Sequence, residues 1–206
     1  MTNKVYRLRF LKRKQLVMNN PQQLRNGWIL TVRGVFYILM GTALFFFANS
    51  FSATSGRIIG GITLLAGVAG FIYGYTNRKA DSNNIWSLLH GLNDAVFGFV
   101  FLFSASNGFK NFVDMIGFWA VLFAFLQSVQ AMYVALMQGG SSLPVKAIHF
   151  VMVFVTGYMA FNILLRPIGL FNSLGITGFF PIVLGVLVIV LQRLSQRAKE
   201  VGSVAR

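Results

Sequence analysis

Six long apolar runs follow one another along the chain, at about 28–48, 58–75, 85–103, 112–137, 146–165 and 172–191. Only short polar stretches interrupt them: ANSFSATSGR, TNRKADSNN, SASNGFKN, QGGSSLP and RPIGLFNSLG. Each run meets or nearly meets the roughly 20 residues, at about 1.5 Å rise each, that cross the hydrocarbon of a bilayer. The breaks are rich in Gly, Ser, Asn and Pro, as turns are, and none is long enough to be a folded domain. The pattern predicts an all-α integral membrane protein. Six transmembrane helices occupy 26–192, between a basic tail at 1–25 and a second at 193–206.

Composition narrows the partners. Hydrophobic residues make up 56% of the chain, charged residues 11%, and there are 22 Phe and no Cys; mean hydropathy is +0.68. Without cysteine there are no disulfides, thiolate metal sites or cysteine nucleophiles. A net charge of +14 would suggest nucleic acid in a soluble protein, but the basic residues here alternate with membrane-length apolar runs, so no nucleic-acid partner is expected. The expected surroundings are the lipid bilayer, with anionic lipid at the basic tails.

The placement of Lys and Arg predicts orientation. With Arg33 set aside inside the first run, 14 lie in the two tails and the second and fourth breaks, against 3 (Arg57, Lys110, Arg166) in the other three. Both termini are therefore expected in the cytoplasm, as in a multi-pass protein of a bacterial inner (plasma) membrane. YRLRFLKRKQLV near the start has no apolar core of signal-peptide length.

The runs also repeat. WILTVRGVFYILMG aligns with WSLLHGLNDAVFG when Arg33-Gly34 is set on His90-Gly91, a shift of 57, and Gly41 then falls on Gly98. VKAIHFVMVFVTG continues the series, with His149 and Gly157 at the matching places. Three parallel two-helix hairpins at about 26–80, 81–140 and 141–192 follow, with a pseudo-axis along the membrane normal. The W-x4-R-G-x6-G opening of Trp28, Arg33, Gly34 and Gly41, its copy at Trp86, His90, Gly91 and Gly98, and the hairpin count resemble the HdeD-like acid-resistance membrane proteins over about residues 24–192. That resemblance implies a role in acid or envelope stress and supplies no catalytic residues.

The repeat places Arg33, His90 and His149 at one depth, with Asp94 one turn beyond His90. An ionised aspartate inside a membrane costs about 2.5–3.5 kcal/mol and needs a partner; Arg33 is the first candidate, then His90 and Asn93. The partnership reads either as a structural lock or as a proton or ion site. The histidines, with unperturbed pKa near 6.5, are either packing residues or titrating neighbours of Arg33. Two histidines and one aspartate without metal-ligand spacing predict no metal, and no cofactor is expected. Gly34 and Gly41, Gly91 and Gly98, Gly70 and Gly74, and Gly157 read as close-packing positions, with homo-oligomerisation the lesser reading. Pro181 should kink the sixth helix by freeing the Thr177 carbonyl.

No enzyme motif is present: neither a nucleophile elbow, nor a phosphate loop, nor a paired catalytic carboxylate. The sequence reading is therefore a non-enzymatic membrane protein of acid or envelope stress, pH-responsive through Arg33, His90, Asp94 and His149. A small transporter or channel, and a structural or assembly subunit with a membrane-protein partner, are the alternatives.

Overall fold

The computed structural model describes residues 27–78, 84–136, 143–165 and 173–204. The N-terminal tail, Lys79 and Arg166 lie outside them. Six α-helices fill the described chain, α1 (Trp28–Phe47), α2 (Ala53–Thr76), α3 (Asn84–Ser104), α4 (Phe109–Leu136), α5 (Leu143–Leu165) and α6 (Ser173–Val204), with one 3-10 turn at Ala105–Asn107 between α3 and α4. There is no strand among the described residues, and all six helices are long and apolar enough to cross a membrane. α4 and α5 each begin three residues earlier than the hydropathy reading, and two limits differ more. α2 starts at Ala53, inside a polar stretch, because Ser52 and Ser55 form a reciprocal capping box that satisfies the first amides. α6 runs past 192, through Gly202, to Val204 because QRLSQRAKEV is rich in helix-forming residues and has no proline to stop it.

The helices form a closed ring: each packs against its neighbours in the chain, and α6 returns to α1. The start of α1 meets the second half of α6, where Gly27 lies beside the side chains of Gln192 and Gln196. The closest packing is α2 on α3, α1 on α6 and α4 on α5, while α1–α2, α3–α4 and α5–α6 are looser. Helices thus pack tighter between the expected hairpins than within them.

Glycine explains the first two close seams. A Cβ added at Gly67 would stand 2.8 Å from the Gly91 carbonyl oxygen, one at Gly98 2.6 Å from the Leu64 amide, and one at Gly34 2.8 Å from the Gly185 carbonyl oxygen. Gly41 and Gly178 press on each other's carbonyls in the same way. Gly70 and Gly74 also face α3, against Gly91 and Leu88, so this GxxxG is used inside the chain. Gly157 departs from the expectation: a side chain there would meet nothing within 4 Å. The α4–α5 seam is set instead by Gly117, which receives Leu164 and Ile163, and Phe150 stands where the other copies have glycine. α6 continues unbroken through Pro181.

The interior has two halves. Towards the α1–α2, α3–α4 and α5–α6 connections it is filled by Met40, Leu44, Ile59, Phe101, Phe112, Ile116, Met159 and Ile163. Towards the other end, where α1, α3 and α5 begin, it holds Arg33, His90, Asn93, Gln127 and His149, all buried. Outward-facing Phe46, Phe103, Phe125 and Phe154 give the bundle an apolar rim that suits lipid.

Candidate functional site

Arg33 and Tyr37 are one turn apart on α1 and therefore share a face. That face meets Asp94 of α3, whose side chain is fully buried, 0% exposed, beside an Arg33 that is 4% exposed. Arg33 Nη2 donates to Asp94 Oδ2 at 2.7 Å, and the Tyr37 hydroxyl donates to the same oxygen at 2.5 Å. Trp119 Nε1 of α4 donates to Oδ1 at 3.0 Å. Arg33 Nη2 also donates to the Tyr37 oxygen at 2.5 Å, and its guanidinium carbon lies 5.3 Å from the Tyr37 ring centre. The carboxylate thus has donors on both oxygens from two other helices. This is what a buried ion pair needs if attraction is to offset the several kcal/mol cost of desolvating each ion.

Aromatic rings surround this pair. Tyr37, Trp119 and His90 all contact Phe123, with ring centres 5.9, 5.6 and 4.5 Å away. His90 does not touch Asp94; its Nε2 bonds Gln130 Oε1 at 3.1 Å, with Nε2–H as donor. His149 bonds α4 as well, accepting at Nδ1 from Gln127 Nε2 at 2.8 Å. Each histidine is 4% exposed, and Arg33 and His149 both lie within electrostatic range of His90. The structure therefore brings Arg33 and Asp94 into contact and sets the two histidines into the same interior, each on a glutamine of α4. No group of three metal-ligating side chains occurs among the described residues.

Sequence reasoning passed over Tyr37 and Trp119. Both had a signal. Tyr37 is one turn beyond Arg33, and it stands 57 residues before Asp94, the spacing of the repeat itself. Trp119 lies in the middle of a span, away from the interfacial belt where tryptophan usually sits, so its N–H needed an internal acceptor.

Six apolar helices around a buried, paired charge define a multi-pass α-helical membrane protein. Residues 32–103 match a family model described as a short repeat of unknown function (DUF308). The match takes in Arg33, Tyr37 and Asp94 and stops before Trp119 and His149. No curated protein and no solved structure matches the chain.

Proposed function

We propose that this is a non-enzymatic protein of a bacterial inner membrane, tied to acid or envelope stress, whose interior polar layer responds to acidity. In this reading it is built of three parallel hairpin repeats with both termini in the cytoplasm. The observation that carries the proposal is the buried Arg33–Asp94 pair with buried His90 within electrostatic range of Arg33 and buried His149 within range of His90. The matched repeat, the family of the HdeD-like proteins, supports the acid-stress part.

The hydrogen bonds suggest how protons act. His149 offers Nδ1 to the Gln127 amide, so a second proton on its ring breaks that bond. His90 donates through Nε2 and leaves Nδ1 unpartnered, open to a proton without losing Gln130. Charging both rings sets three cations in one interior with a single carboxylate, which drives α1, α3 and α5 apart where they begin.

Trp119 sits on Asp94 and reports the layer. In Trp28→Phe, Trp86→Phe protein its emission should shift between about pH 7 and about pH 5 and lose the shift in His90→Gln, His149→Gln protein. A flat titration overturns the reading. A transporter is the weaker reading because the other half of the interior is apolar, and its hydroxyl of Thr63 bonds back to the Ile59 carbonyl of its own helix. Solute flux in liposomes would reinstate it.

A further inference from the structure

Three consecutive buried polar atoms on α3 have no partner: Trp86 Nε1, His90 Nδ1 and Asn93 Nδ2. Their spacing, i, i+4 and i+7, puts them on one stripe of the helix, about 10 Å long. The stripe faces α4, since the Trp86 and Tyr133 rings stand 5.8 Å apart and His90 bonds Gln130. His90 and Asn93 are 4% and 7% exposed. Buried polar atoms in native proteins are nearly all hydrogen-bonded, and a run of them alternating donor, acceptor and donor along a loosely packed seam fits small hydrogen-bonding molecules in single file.

We infer that the α3–α4 seam is a one-ended water inlet, leading from the bundle end that carries the α2–α3 connection, past Trp86 and His90, to Asn93 beside the ion pair. Water is the occupant the chemistry selects. The stripe offers two N–H donors and one imidazole acceptor, a water molecule can donate and accept at once, and the seam adds no charge that would hold an ion. The inlet ends where Phe97 and Phe101 take over the α3 face. Through it Nδ1 of His90 exchanges protons with one side of the membrane only. The charged and titratable groups acting on that ring are Arg33 from α1 and His149 from α5; Asp94 and Tyr37 are bonded to Arg33 and to each other, and Tyr133 of α4 packs on Trp86, one turn away. The proton-delivery role rests on the acid-responsive reading; the hydration does not.

The absence of cysteine makes the test direct. Asn93→Cys and Leu92→Cys place thiols at nearly one depth, the first in the seam and the second on the half-exposed outer face. A membrane-impermeant methanethiosulfonate reacts with thiolate, which forms in water and not in lipid, so Asn93→Cys should react at least about tenfold faster. It should do so from the side of the α2–α3 connection. Equal rates at the two positions, or reaction from the opposite side alone, overturn the inlet. Hydroxyl-radical footprinting of the unaltered protein covers the case in which Asn93→Cys fails to accumulate: Trp86 and His90 should be modified and Trp119 spared, and protection of all three overturns it. Fast reaction at Asn93→Cys in a protein whose Trp119 emission is flat with pH keeps the inlet and removes the acid reading.

Discussion

Along one edge of α3, Gly91 and Gly98 lie directly on the α2 backbone, close enough that no side chain fits between. Along the other edge, Trp86, His90 and Asn93 face α4 across a looser seam with their hydrogen-bonding atoms only partly used. One helix thus joins its two neighbours by different physics. In a bilayer no hydrophobic effect pulls helices together, so the first seam is held by close backbone contact and dispersion and has no room to change. The second is held by a few directional bonds from α4, Trp119 to Asp94 and Gln130 to His90, each of which depends on where protons and charges sit. A rigid edge beside an adjustable one lets α3 keep its register while its inner face alters.

The largest effect that would break this contrast is at the rigid edge. Gly98→Leu should abolish accumulation of folded protein, because its first side-chain atom already meets the Leu64 backbone, whereas Gly157→Leu on α5 should accumulate; size-exclusion chromatography of detergent extracts reads both. A monodisperse Gly98→Leu protein would mean the α2–α3 seam can open after all. Next comes the adjustable edge. Asp94→Asn leaves Arg33 buried without its counter-charge and should lower stability by roughly 3–5 kcal/mol, and by more than Asp114→Asn, which alters a part-buried position at the start of α4. Unfolding in mixed micelles measures the difference, and equal losses would place Asp94 in water. Tyr37→Phe removes one of three donors to the carboxylate and should cost about 1–2 kcal/mol in the same assay; no loss would show that Arg33 and Trp119 suffice. The smallest change is a gain. Gly157→Ala, with open space at its Cβ, should stabilise α5 by about 0.5–1 kcal/mol through helix propensity, and a loss there would reveal a close contact on that face.

Hydropathy made the six helices legible, because a lipid environment forbids short or polar spans and leaves length as the main variable. It misplaced the start of α2 and the end of α6, where a serine cap and helix-forming polar residues act outside the apolar run. The Arg33–Asp94 contact was legible for a related reason: an aspartate in a membrane must find a cation, and few were on offer. The glutamines that hold the histidines were visible only as polar residues of the right helix, since a helical wheel cannot say which face meets which neighbour. Tyr37 and Trp119 were hidden because their rings count as apolar while their single polar atoms do the bonding. The glycine repeat gave the packing residues and hid their partners. A repeat says which positions are equivalent, and the tight contacts turned out to join one unit to the next.

Closure of the ring between α1 and α6 bears on how the protein is made. α1 leaves the ribosome before the other five helices described, and Arg33 gains Asp94 once α3 has entered the membrane, but Gly34 and Gly41 face α6, which is made well after it. Through most of translation the first span therefore shows lipid a backbone groove with nothing in it. Any nascent chain stopped before Gly178 and Gly185 keeps that groove open, so the first span completes its packing only when α6 arrives.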